Sequence, residues 1–278
     1  MTTAALTADH VYVYGVARAD TFNALASATL EGVIPGRPVE LLPFGGLAAI
    51  VSACPAETAA PEVAGGESEW ARSRAVAHHR VLEALSRRFP VVPSKFGTVL
   101  RDFDSLATFM EHYAPALEET LDQVAGCREW GLKLVADPKL AREAAQTAPS
   151  LASLREELAS ASQGKAFFIR KKMNSAVEAE AQLMLASQAG EVHQALDAKA
   201  RRSASARICS GALSGGENTQ IMLLNAAYLV ETPVEGEFHA ALDAVLARLA
   251  ALGVTGRLTG PWPPYNFVSL PSGKAAHV

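Results

Sequence analysis

The strongest constraint on the fold is a run near the start of the chain, residues 11–16 (VYVYGV), in which every position is apolar or aromatic. A strand with one face in water alternates apolar and polar residues, whereas a strand covered on both faces does not. The run therefore predicts a strand in the middle of a sheet, with both of its faces covered.

Helices and strands alternate after this first strand. The predicted elements are, in order, a strand at 11–16, a helix at 21–30, a hairpin at 39–51, a helix at 71–89, a short strand pair after Pro90, a helix at 103–124 and a strand at 130–135. Pro115 interrupts the backbone hydrogen bonding of the last helix and is expected to kink or split it. Short helices between adjoining strands favour helices packed on one face of a mixed sheet, so we predict a ferredoxin-like layout.

The apolar pattern changes near Asp137 to almost pure helix, and it returns to strands and one further helix after residue 202. This change predicts a domain boundary. We therefore assign the chain to the α+β class with two domains. The expected bounds are 1–136 for a ferredoxin-like N-terminal α/β layer domain, 137–260 for a helix-rich C-terminal domain with a small sheet, and 261–278 for an extended tail.

The charge balance argues against a nucleic-acid-binding protein. The 25 Lys and Arg residues and 29 Asp and Glu residues leave a formal net charge of −4, opposite in sign to a surface that neutralises phosphates. No apolar run approaches the roughly 18–20 residues needed to cross a bilayer, so we expect no membrane span. Cys54, Cys127 and Cys209 form neither a disulfide framework nor a C-x-x-C motif, which favours a cytoplasmic protein.

No combination of residues in the sequence indicates a catalytic or metal site. His78 and His79 are adjacent, and because neighbouring helical residues point about 100° apart they cannot both face one metal. His78 is expected to pack inside with a backbone hydrogen bond, and His79 to be more exposed. We expect no cofactor, no metal and no enzymatic activity. The alternative is a small-molecule enzyme that uses the concave face of a ferredoxin-like sheet, with a pocket around His78 and Arg101.

The most unusual segment is the proline-rich stretch at residues 260–267 (GPWPPYNF). Its three prolines remove backbone donors and fix φ near −65°, so we expect an extended segment that cannot continue as a central strand. Such a stiff backbone presents Trp262, Tyr265 and Phe267 for docking with little loss of entropy. Two interpretations are open, because the aromatic residues can dock in a groove of the same chain or bind a partner.

The densest positive run consists of Arg170, Lys171 and Lys172. On a helix these cations could contact an acidic partner or a phosphate. The alternative is a solvated helix face, since surface charge runs are common. The candidate partner-binding residues are therefore Trp262, Tyr265, Phe267, Arg170, Lys171 and Lys172.

Residues 258–268 (LTGPWPPYNFV) resemble the C-terminal signature of the gas vesicle protein F/L family. Other blocks agree with that family in the same order. They are residues 11–15 (VYVYG), 93–99 (PSKFGTV), 129–133 (EWGLK), 164–172 (GKAFFIRKK) and 224–230 (LNAAYLV). The combination covers most of the chain and is specific where a single block would not be. The stretch at 55–67 and the tail after Pro271 depart from the family pattern.

The resemblance implies a non-enzymatic accessory protein of gas vesicles, the gas-filled protein shells that give some microbes buoyancy. It also implies a cytoplasmic protein that associates with the vesicle and binds the small hydrophobic shell protein, with other accessory proteins as further partners. An aggregation-prone shell subunit needs a partner that covers its apolar surface before it polymerises. We therefore expect the chain to assist nucleation or growth of the shell, through the exposed part of the N-terminal sheet or the aromatic tail.

Overall fold

The computed structural model describes residues 10–21, 30–55, 69–206 and 220–270. Most of the predicted helix at 21–30, and Cys209, lie outside these ranges. The chain divides into two compact units, of which one comprises Met1–Arg128 with Pro261–Val278 and the other comprises Glu129–Gly260. The domain bounds expected from the sequence, 1–136, 137–260 and 261–278, stay a prediction.

The sheet of the first unit is built around β1 (His10–Arg18). The strand order is β2 (Glu40–Phe44), β3 (Leu47–Cys54), β1, β4 (Val91–Pro93), and β5 (Val99–Leu100) also pairs with β1. All of these pairings are antiparallel. The seven inner residues of β1 and all of β3 are buried, which confirms the predicted central strand.

Close packing between β1 and β4 explains the glycine in the apolar run. A Cβ atom on Gly15 would lie 2.6 Å from the carbonyl oxygen of Val92. That distance is far below van der Waals contact and involves backbone, which cannot move aside as a flexible side chain would. Only glycine therefore allows β1 and β4 to approach in the observed register, where Gly15 is opposite Pro93.

Two helices accompany this sheet, α1 (Glu69–Ser86) and α2 (Phe103–Val124). The buried residues of α1 recur at helical spacing, as predicted, and they are Ala71, His78, Val81, Leu82 and Leu85. The N-terminus of α2 is capped by Asp102, whose carboxylate accepts a hydrogen bond of 2.8 Å from the backbone amide of Ser105. The helix continues through Pro115 as one element, so the predicted split does not occur.

The second unit contains a four-stranded sheet and four helices in its described residues. The strand order is β7 (Arg202–Ala206), β8 (Ile221–Glu231), β6 (Cys127–Ala136), β9 (Val254–Trp262). The helices are α3 (Pro138–Gln146), α4 (Ala152–Ser160), α5 (Gln163–Asp197) and α6 (Glu235–Leu249). None of the helices in the described ranges is long and apolar enough to cross a membrane.

One aliphatic core joins the sheet and helices of this second unit. It contains leucines of β6 and β8, the inward side chains of α5, and Phe238 and Leu242 of α6. The 35-residue helix α5 buries residues from Ile169 to Leu196 at steps of three, four and eight, which is the periodicity of one helix face. In contrast, α4 buries none of its residues. The α4 helix and the first turns of α5 therefore carry mostly solvent-facing side chains.

Candidate functional site

Two tyrosines of β1 and His78 of α1 form a buried polar cluster in the first unit. The hydroxyl of Tyr12 lies 2.9 Å from Nδ1 of His78, and the ring of Tyr14 stacks on the same imidazole with a centroid distance of 5.5 Å. The hydroxyl of Tyr14 accepts a hydrogen bond of 2.7 Å from the backbone amide of Val33 and lies 3.2 Å from Oγ of Ser52. These contacts satisfy both buried phenols and fix α1 against the sheet.

Burial keeps the groups in this cluster uncharged. Desolvation lowers the pKa of His78 to about 4 and raises the pKa of Tyr12 above its ordinary value. Nδ1 of His78 contacts the Tyr12 hydroxyl, and a backbone hydrogen bond with Ser94 partly opposes the fall in the pKa of His78. Arg101 is exposed and pairs with Asp102 at 2.9 Å. His78 and Arg101, around which the alternative enzyme hypothesis placed a pocket, therefore contact different residues. Among the described residues, no group of three or more His, Cys, Asp or Glu side chains could hold a metal ion.

The proline-rich tail begins in a strand and ends in a turn. Pro261 and Trp262 are the last residues of β9, an edge strand, where a missing backbone donor is tolerated. The carbonyl oxygen of Pro264 then accepts hydrogen bonds of 3.1 Å from the amides of Phe267 and Val268. The prediction of an extended segment is therefore wrong beyond Pro263, because the φ angle that proline imposes also suits a turn.

The aromatic side chains of the tail pack within the first unit. Phe267 is 8% exposed, and Tyr265 is 38% exposed. Nδ1 of His79 lies 3.2 Å from the Tyr265 hydroxyl, and the His79 ring lies 5.2 Å from the Trp262 ring between centroids. The segment thus contacts α1 through His79, and Phe267 has its side chain inside the unit rather than on the surface.

The basic run lies on the first turns of α5, beside two exposed aromatic residues. Arg170, Lys171 and Lys172 are all exposed, as is Lys165. Phe167 is 67% exposed and Phe168 is 72% exposed, and their rings meet edge to face at 5.7 Å. We call these six residues the α5 surface. None of its four cations forms an ion pair with a carboxylate in the part of the chain that the structure describes.

Sequence reasoning missed Phe167 and Phe168, although a signal for them was available. The buried stripe of α5 passes through Ile169 and Val177, so two residues that precede Ile169 directly must point away from it. Two bulky apolar side chains outside the buried stripe indicate either a lipid-facing or a partner-facing surface. The structure brings them together with Arg170, Lys171 and Lys172.

The fold has been seen before in gas vesicle proteins. The crystal structure of the gas vesicle protein GvpF from Anabaena sp. PCC7120 superposes with a TM-score of 0.67 at 20% sequence identity, over 95% of this chain and 99% of that chain. This is a mixed α/β fold with two sheets and helices. At this level of identity the likeness establishes the fold alone.

The sequence comparison establishes the family. The family described as gas vesicle synthesis protein GvpL/GvpF matches residues 10–269, and the chain belongs to it. Gas vesicle protein L of a Streptomyces species is 29% identical in an alignment of 276 positions that covers 93% of this chain and 92% of that protein. Gas vesicle protein F2 of Halobacterium salinarum is 28% identical over 267 residues, with 94% and 93% of the two chains covered. The resemblance drawn from the sequence blocks is confirmed, and the protein is a gas vesicle accessory protein.

Proposed function

We propose that this protein binds the small hydrophobic shell protein of gas vesicles and assists nucleation or growth of the shell. Its membership in the gas vesicle synthesis protein GvpL/GvpF family supports a role in making the vesicle. A shell-forming subunit exposes apolar surface before it assembles, and a partner that covers this surface prevents unproductive aggregation.

The observation that carries the proposal is the exposure of Phe167 and Phe168. Covering a phenylalanine side chain fully is worth about 2 kcal/mol, so leaving two of them more than two-thirds exposed is unfavourable for a chain without a partner. The flanking cations keep the surface soluble and can steer a partner that carries carboxylates. We therefore propose Arg170, Lys171 and Lys172 as partner-binding residues together with the phenylalanine pair.

The contribution of the tail to binding is a separate proposal. Burial of Phe267 and the contacts of Trp262 and Tyr265 with His79 support the interpretation that the tail is a clamp within its own unit. The exposed part of Tyr265 is the portion that a partner could reach. The N-terminal sheet offers less surface than expected, since the inner residues of β1 and all of β3 are buried and the partly exposed side chains lie mainly on β2 and β5.

Co-purification tests the function directly. The full chain is co-expressed with the shell protein in a host without vesicles, and the soluble complex is captured through a tag on this chain. We expect the shell protein to stay soluble and to be captured together with this chain. Replacement of both Phe167 and Phe168 by Ser should remove most of the shell protein from the captured fraction, because each lost aromatic contact weakens binding about tenfold or more.

The matched control is Leu183→Ser. Leu183 is 68% exposed and lies on the same helix, so its replacement tests whether any exposed apolar residue of α5 would give the same loss. The control should retain the shell protein. If the wild-type chain is folded and captures no shell protein, the proposed function is wrong. If the phenylalanine variant captures as much as wild type, the shell protein binds elsewhere.

We further propose that the first unit is a ferredoxin-like domain. Its strand order of β2, β3, β1 and β4 and its antiparallel pairings support this, because a split βαβ arrangement has the same order and directions. We also propose that this protein associates with the gas vesicle in the cytoplasm and that other accessory proteins are among its partners.

A further inference from the structure

The α5 surface has an unusual charge for a chain of net negative charge. Residues 163–177 contain four cations and no carboxylate, whereas the whole chain has a formal net charge of −4. No acidic residue lies in the first turn of α5, and Lys165 lies there instead, at the end where the helix dipole disfavours a cation. A local arrangement that does not stabilise its own helix indicates a role in binding.

The complementary charge is found on α2 of the first unit. This helix contains five carboxylates and no Lys or Arg, and the carboxylates belong to Asp104, Glu111, Glu118, Glu119 and Asp122. Asp104, Glu111 and Glu118 are spaced by seven residues, which places them on one side of the helix. Asp122 pairs with Arg18, whereas Asp104, Glu111 and Glu118 are exposed and form no ion pair within the described residues. We call Asp104, Glu111 and Glu118 the α2 acidic stripe.

Aromatic side chains accompany the acidic stripe, as they accompany the basic run. Phe103 starts α2 next to Asp104, and its ring stacks on that of Phe44 at a centroid distance of 5.8 Å. Both phenylalanines are only partly buried. Glu118 lies beside the turn that directly follows Phe44, since its Oε1 is 3.2 Å from the position of a Cβ on Gly46. The α2 acidic stripe therefore borders an apolar surface that could receive an aromatic side chain.

We propose that a second copy of this chain binds the α5 surface with its α2 acidic stripe. This inference rests on the proposed function, since it names what covers the same surface when the shell protein is absent. Cations face carboxylates, and Phe167 and Phe168 meet the partly buried Phe44 and Phe103 of the second copy. The two surfaces differ, so the contact is heterologous and adds copies head to tail. The shell protein then competes with a second copy for the exposed phenylalanines.

Sedimentation velocity of the purified chain, without shell protein, tests the inference. At about 0.05 M salt, the mean mass should rise as the protein concentration is increased about a hundredfold. At about 0.5 M salt it should stay at the mass of the monomer, because added salt screens exposed charges. The double variants Lys171→Glu with Lys172→Glu, and Glu111→Lys with Glu118→Lys, should each associate at least about tenfold more weakly than wild type. Circular dichroism confirms that both variants are folded.

The decisive sample is an equimolar mixture of the two charge-reversed variants. Each variant alone places like charges across the contact, whereas the mixture restores opposite charges in both directions, so association should return. The matched control is Lys133→Glu with Lys139→Glu, which makes the same charge change at two exposed lysines of the second unit and should associate like wild type.

Several outcomes would overturn this inference. They are a monomer at every concentration, charge-reversed variants that associate like wild type, and a mixture that stays monomeric. Binding of the monomer to phosphatidylglycerol vesicles through Lys171 and Lys172 would assign the surface to anionic lipid instead. The sedimentation samples contain no shell protein, so a negative result in them does not change the interpretation of the co-purification. A negative co-purification likewise does not change the interpretation of the mixture of charge-reversed variants.

Discussion

Replacement of Phe267 by Ala distinguishes a tail that clamps its own unit from a tail that binds a partner. Phe267 is 8% exposed, and the turn around Pro264 holds it in place through two backbone hydrogen bonds of 3.1 Å. If the tail is a clamp, the substitution removes a packed aromatic ring and leaves a cavity in the first unit. If the tail is an interface, the substitution leaves the unit intact and weakens partner binding.

The magnitude follows from the burial of the ring. A Phe→Ala change at a buried position lowers the free energy of unfolding by about 3 kcal/mol, at the low end of the range because this site lies near the surface. The first unit contains about 150 residues, and its entropy of unfolding near 60 °C is about 0.3 kcal/mol per kelvin. The expected fall in its unfolding temperature is therefore about 10 °C.

Differential scanning calorimetry measures this fall, and two further variants calibrate it. Tyr265→Phe removes only the hydroxyl that contacts His79 and should lower the unfolding temperature by about 3 °C or less. Ser269→Ala changes an exposed side chain and should have no effect. An unchanged unfolding temperature for Phe267→Ala, combined with loss of the shell protein in co-purification, would refute the clamp interpretation.

Three other substitutions test the packing around the candidate sites. Burial lowers the pKa of His78 to about 4 in the folded chain, whereas in the unfolded chain this pKa returns to about 6.5, so the free energy of unfolding falls as the pH drops from 6.5 to 4. In urea titrations of His78→Gln, this fall in unfolding free energy should be smaller by about 3 kcal/mol. Tyr14→Phe leaves the buried amide of Val33 without a partner and should lower the unfolding free energy by about 2 kcal/mol in the same assay. Gly253→Ala forces a Cβ at φ +68° to within 2.9 Å of Leu140; backbone strain alone should lower the free energy of unfolding of the second unit by about 2 kcal/mol, which calorimetry detects as a lower melting temperature.

The sequence was sufficient for the elements whose apolar pattern repeats. The unbroken apolar run at residues 11–16 predicted the central strand, and the spacing of apolar residues predicted α1 and most of α2. Pro115 shows the limit of such local reasoning. The packing of Leu106, Met110, Leu117 and Leu121 on one side of α2 outweighs the lost backbone hydrogen bond, so the helix continues through the proline.

The tail and the polar cluster could not be predicted in the same way, because both depend on residues far apart in sequence. The three prolines of the tail fix their own φ angles, but the packing of the tail on His79 depends on a residue more than 180 positions away. The same holds for His78, whose partner Tyr12 lies 66 positions earlier on β1. Local pattern indicates which side chains are buried, whereas the identity of a hydrogen-bond partner depends on the tertiary fold.

The small size of the α5 surface suits the proposed function, because an assembly factor has to release its client. Covering the exposed two-thirds of two phenylalanine side chains contributes roughly 3 kcal/mol, whereas the freedom lost on association costs at least about 4 kcal/mol. Charge attraction must therefore supply much of the net affinity, which places the complex in the micromolar range or weaker. A contact of this strength forms quickly and dissociates quickly. A shell subunit held in this way can pass to a growing edge that buries more of its apolar surface, whereas a large complementary interface would retain it.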